Sequence, residues 1–120
     1  MPDPNFVLLF VDSPPASEAF YTTILGHKAV ESSGTFVLFA LASGVRLGLW
    51  SRHTAEPAPG PAGGGELAFA VASPDAVDSL HREWRRREIA VLQPPTDMDF
   101  GRTFVALDPD GHRLRVFAPA

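Results

Sequence analysis

The sequence predicts an α+β protein of two β-α-β-β-β modules that close around a shared cleft. Three observations carry this. The first is Phe104 to Phe117, FVALDPDGHRLRVF, where two apolar runs flank a turn. Asp108 and Pro109 open the turn and Gly111 supplies the positive φ that closes it, a β-hairpin signal. The second is a looser copy of that hairpin, from Phe36 through Ser43-Gly44 to Trp50. Its Gly44, Arg46 and Leu47 match Gly111, Arg113 and Leu114, each 67 residues on. The third is the likeness of Val11-Asp12-Ser13-Pro14-Pro15-Ala16 to Val71-Ala72-Ser73-Pro74-Asp75-Ala76, offset by 60 residues. A module of this kind leaves an apolar sheet face in need of cover, hence two copies around one cleft.

Taken in order, Asn5 to Val11 reads as a strand apolar on both faces. Ser13 is a helix N-cap with Pro14 at the first helical position, and Gly26 ends a helix that runs to about Leu25. Ala16, Ala19, Phe20, Thr23 and Ile24 form its expected buried stripe. A strand near Lys28 to Ser32 precedes the first hairpin. Ser51 to Gly65, with Pro57, Pro59, Pro61 and three consecutive glycines, is a linker or mobile loop. Glu66 to Ala72 is the next strand. A second capped helix runs from Ser73-Pro74 to about Arg87, with Val77, Leu80, His81 and Trp84 inward. Ala90 to Gln93 is a short strand ending at Pro94-Pro95, and Thr96 to Arg102 a polar loop with an exposed Phe100. The last hairpin closes the chain.

With 120 residues the expectation is one domain, with modules at 5–50 and 66–118 and the linker at 51–65. The net charge of −4 argues against a nucleic-acid or acidic-membrane partner. Arg85-Arg86-Arg87 is better explained by a helix C-terminus, where it suits the dipole. The absence of cysteine removes disulfides, thiol chemistry and Cys-ligated zinc. No apolar run reaches a membrane span, and the N-terminus has no signal-peptide pattern, so a cytoplasmic location is expected.

The two modules, the helix run from Ser13 to Gly26 with its Phe20-Tyr21 pair, and the DPDGHRLRVF ending resemble the vicinal oxygen chelate superfamily. That group includes glyoxalases, extradiol dioxygenases, fosfomycin-resistance enzymes and bleomycin-binding proteins. The resemblance implies a curved, mixed eight-stranded sheet around a cleft with both helices outside, and a homodimer. It does not by itself imply one activity, because the fold hosts several chemistries and some pure binders.

Metal enzymes of the group place ligands near the start of the first strand and within the last strand of each module. Carried onto this chain, those positions are Phe6, Gly48, Glu66 and Arg115. Phenylalanine and glycine offer no donor, and arginine repels a cation. One carboxylate is not enough, and His27, His53, His81 and His112 lie elsewhere. No metal or other cofactor is expected.

Strand alternation then puts Phe6, Leu8 and Phe10 on the cleft with Gly48, Arg46 and Trp50, and Glu66 with Arg113, Arg115 and Phe117. The expected ligand-binding set is Phe6, Phe10, Arg46, Trp50, Glu66, Phe100, Arg115 and Phe117, with no catalytic residue. It suits a small planar aromatic molecule, stacked on rings and held by an arginine if it carries a carboxylate. The implied function resembles metal-free sequestration of bleomycin- or phenazine-type antibiotics. The alternative is a metal-dependent lyase or dioxygenase, and a third reading is a metal-free enzyme with Glu66 or Asp99 as base. Plainer accounts stand beside these. Phe6, Phe10 and Phe117 either line a cleft or fill a core, and Glu66 and Arg115 either meet a ligand or pair with each other. Asp97, Asp99 and Arg102 form either an acid–base cluster or a solvated loop.

Overall fold

The computed structural model describes residues 1–120 as two compact units, Met1–Pro61 and Ala62–Ala120. The first contains β1 (Phe6–Val11), α1 (Pro14–Leu25), β2 (Glu31–Ser32), β3 (Phe36–Ala40) and β4 (Arg46–Ser51). The second contains β5 (Glu66–Ala70), α2 (Pro74–Arg86), β6 (Val91–Met98), β7 (Gly101–Leu107) and β8 (Arg113–Pro119). Each is a β-α-β-β-β module with its own four-stranded mixed sheet. The strand orders are β1-β4-β3-β2 and β5-β8-β7-β6, the same topology twice. In each, the first strand runs parallel to the last and the others pair antiparallel.

The local signals act as the sequence requires. Ser13 and Ser73 cap their helices by accepting from the backbone N–H of Ala16 and Ala76. Gly26 ends α1 at φ 79° and its N–H donates to the Thr22 carbonyl. In the last turn Asp108 Oδ1 accepts from the N–H of Asp110 and of His112, while Gly111 takes φ 88°. Residues 52–65 hold no helix or strand.

Hydrophobic burial holds each module together on the helix side of its sheet. Val11, Tyr21, Val37, Phe39, Leu47 and Leu49 are buried in the first. In the second, Val77, Trp84, Phe104, Leu114 and Val116 are buried, with Phe104 edge-on to Trp84 at 5.4 Å between centroids.

Three expectations are corrected. The buried stripe of α1 is Pro14, Ser17 and Tyr21, whereas Ala16, Ala19 and Thr23 are exposed. Polar Ser17, Glu18, Thr22 and Thr23 are spread around this helix among its apolar residues, so periodicity does not select the face. The strand near Lys28 contracts to Glu31–Ser32. The short strand and polar loop expected over 90–102 are instead a long hairpin, with β6 running through Pro94-Pro95 to Met98. Because β6 is an edge strand, proline's missing N–H costs no ladder bond, and two register shifts absorb the irregularity.

Candidate functional site: an aromatic sheet face and an arginine–glutamate cluster

In the first module the parallel register sets Phe6 opposite Arg46, Leu8 opposite Gly48 and Phe10 opposite Trp50. The antiparallel β3–β4 pairing sets Phe36 opposite Trp50. These side chains share one face of the sheet. Phe6, Leu8, Phe36 and Trp50 line a shallow depression of about 450 Å³ there. Phe6 and Leu8 are 49% and 43% exposed, so the depression is open and the aromatics do not fill a core. Phe10 packs against Trp50 at 6.0 Å with a 37° tilt, and Arg46 Cζ lies 5.8 Å over the Phe6 ring.

Gly48 makes the depression. A Cβ at this position would stand 2.6 Å from Leu8 Cδ2 and 3.0 Å from Phe36 Cζ. Only a residue without a side chain lets both groups lie down against the strand.

In the second module Glu66 stands opposite Arg113, and Ala68 opposite Arg115. Arg115 Nε donates to Glu66 Oε1 at 2.7 Å and Nη2 to Oε2 at 3.0 Å. Arg113 Nη2 lies 2.7 Å from the same Oε2. Arg115 Nη1 donates to Thr103 Oγ1 at 3.2 Å, and that hydroxyl donates to the Val116 carbonyl at 2.9 Å. The Arg115 hydrogen bonds hold the Glu66 carboxyl below its ordinary pKa, and they raise that of Arg115. Phe100 packs edge-on to Phe117 at 6.0 Å, with Arg115 Cζ 5.7 Å from its ring.

The first module thus brings together Phe6, Phe10, Arg46 and Trp50, and the second Glu66, Phe100, Arg115 and Phe117. Of the two accounts of Glu66 and Arg115, the ion pair is the one observed. Phe36 was missed; its cross-strand position opposite Trp50 was the available signal. Asp97 and Arg102 form neither an acid–base cluster nor a loop. They pair across β6 and β7, and Arg102 bridges Asp97 and Asp78 at 3.0 and 2.8 Å. Asp99 lies exposed in the turn between those strands. His112 Nδ1 meets Asp108 Oδ2 at 2.8 Å and His53 Nε2 meets Asp12 Oδ1 at 2.7 Å. A second cavity of about 490 Å³, lined by His81, Arg85, Glu88, Ile89, Val91 and Pro94, mixes both charges, and its one aromatic ring is the His81 imidazole.

These residues do not fit a catalytic metal. No three His, Asp or Glu side chains gather where they could hold one. Phe6 and Gly48 carry no donor atom, and both oxygens of Glu66 are taken by guanidinium groups. A carboxylate held in this way is also a weaker base than a free one, the reverse of what proton abstraction requires.

The Glyoxalase/Bleomycin resistance protein/Dioxygenase superfamily matches residues 4–116. The chain is 32% identical over 117 residues to the phenazine antibiotic resistance protein EhpR of Enterobacter agglomerans, covering 94% of this chain and 89% of that one. The solution structure of protein ATC0852 from Agrobacterium tumefaciens is 55% identical, with a TM-score of 0.92 over 100% of this chain and 99% of that one. A glyoxalase/bleomycin resistance protein/dioxygenase from Nocardioides is 28% identical, with a TM-score of 0.81 over 99% of this chain and 84% of its own.

Proposed function

Because the chain belongs to the glyoxalase/bleomycin resistance protein/dioxygenase superfamily, we propose that it is a member that binds a small planar aromatic molecule without a metal, as in antibiotic sequestration. The observation that carries this is the open aromatic depression around Gly48, a position that the resemblance assigns to a metal ligand and that carries no donor atom. Its volume of about 450 Å³ falls in the range of small-molecule sites. Rings laid on Phe6 and Trp50 gain both apolar burial and offset-stacking energy. The relative named for phenazine resistance supports the same class, since phenazines are flat fused-ring molecules. In this reading Phe6, Phe10, Arg46 and Trp50 contact ligand from the first module. Glu66, Phe100, Arg115 and Phe117 are a separate candidate set on the second module's own sheet, with Phe100 its exposed ring. A homodimer in the cytoplasm is the accompanying expectation for assembly and place.

Tryptophan fluorescence tests the reading. Trp84 is buried at 6% exposure, so a bound aromatic quenches chiefly Trp50. Titration with phenazine should give saturable quenching, unchanged by chelator or by added Zn²⁺, Ni²⁺ or Mn²⁺. Quenching that appears only after metal addition would return the protein to the lyase or dioxygenase alternative.

A further inference from the structure

The two modules differ at one register position in a way that bears on the charge of the ligand. In the second module Glu66 faces Arg113 across β5 and β8, and the two form an ion pair at 2.7 Å. The corresponding pair in the first module, offset by 60 and 67 residues, is Phe6 and Arg46 across β1 and β4. Phe6 has no carboxylate to offer. The Arg46 guanidinium lies instead 5.8 Å over its ring. A ring face attracts a cation but leaves its charge and its N–H donors available to an acid.

Arg46 is exposed, and the ion pairs of the chain do not include it. Its partner ring lines the apolar depression. The Glu66 cluster offers a poorer anion site, because Arg113 and Arg115 already share a carboxylate that repels a second one. The chain as a whole carries −4, so attraction of an anion must be local.

We infer that Arg46 is the anion-recognising residue of the stacking face, and that the ligand class is a planar aromatic acid. Such a molecule lays its ring system over Phe6 and Trp50 and presents a carboxylate to Arg46, whose fork can take both oxygens. The inference rests on the stacking-face reading above and adds the charge of the ligand to it.

The test compares phenazine with phenazine-1-carboxylate, titrated at neutral pH into the full chain. Wild type should bind the carboxylate about tenfold tighter, the scale of one charge-assisted contact. That ratio should shrink as salt is raised. Arg46→Gln should bring it to about one, and Arg46→Lys should restore part of it. Equal wild-type affinities would remove the anion assignment and leave the stacking face standing. So would an unchanged ratio in Arg46→Gln, or a ratio that collapses in Arg113→Gln instead. If neither probe binds, the stacking face falls, and this inference with it.

Discussion

Arg115 grips both carboxylate oxygens of Glu66, through Nε at 2.7 Å and Nη2 at 3.0 Å. The pair joins the start of β5 to the middle of β8, and Arg113 closes on the same carboxylate. Both positions are ones that the sequence resemblance assigns to metal ligands. Here a guanidinium supplies the positive charge from within the chain. One charge pair thus fixes the geometry of the strands and removes the donors a metal would need.

This arrangement predicts a specific acid sensitivity. The folded-state pKa of Glu66 is lowered from 4.5, chiefly by the hydrogen bond from Arg115. The unfolded chain therefore binds the proton more readily. The pair's contribution is complete above pH 4.5 and is lost as pH falls through the lower folded value. Glu66→Gln should cost about 1 kcal/mol at neutral pH, since the pair is partly exposed. Urea midpoints across pH should show that gap closing in acid. A gap constant with pH would mean that Glu66 acts by packing alone.

His81 predicts a second, earlier loss. Its ring packs against Phe104 at 5.4 Å, and its Nε2 is buried without a hydrogen-bond partner. Burial first, then Arg85, lowers its pKa from 6.5, with Asp78 opposing. The neutral form is favoured in the fold, so stability is full above pH 6.5 and declines as pH falls below it. His81→Leu should flatten the stability profile just below pH 6.5 while leaving the Glu66 transition in place. An identical slope in both proteins would assign that decline to another group.

The turn chemistry, both serine caps and the repeat offsets were legible because each rests on a local backbone demand. Gly44 and Gly111 take φ 93° and 88°, as their shared place after the turn requires. That Phe6, Leu8 and Phe10 share a sheet face with Arg46, Gly48 and Trp50 followed from period two, and the register sets them opposite one another. The buried face of α1 was not legible. Ser17 and Tyr21 point inward, and apolar Ala16 and Ala19 point out. Nor did composition reveal that β6 continues through Pro94-Pro95, because edge position is a tertiary property. In the site, Glu66 and Arg115 were identified as residues, but only their distances decided that they pair with each other.

Gly48→Ala should separate the shape of the site from the stability of the fold. The atoms nearest the new methyl, Leu8 Cδ2 and Phe36 Cζ, are ends of side chains and not backbone. They can move, and the depression they line offers open space to move into. The stability cost should be modest, about 1–3 kcal/mol for such overpacking. Phenazine affinity should fall by about tenfold, because the flat floor is lost. Unchanged affinity with reduced stability would place the ligand away from this face.

Trp50→Ala should nearly abolish aromatic binding and spare the fold. Trp50 is only partly buried and sits at the end of β4, packed against Phe10 and lining the depression. Its indole supplies the largest ring surface on this face. Removing that surface takes away both apolar area and stacking, a loss of about a hundredfold in affinity. The core side chains Val11, Leu47 and Leu49 lie on the opposite face of the same strands, so far-ultraviolet circular dichroism should be unaltered. Trp50→Phe should keep part of the affinity, since a smaller ring still stacks. Calorimetry with phenazine, which needs no tryptophan signal, reads all three proteins alike. Equal affinities across them would remove Trp50 from the site.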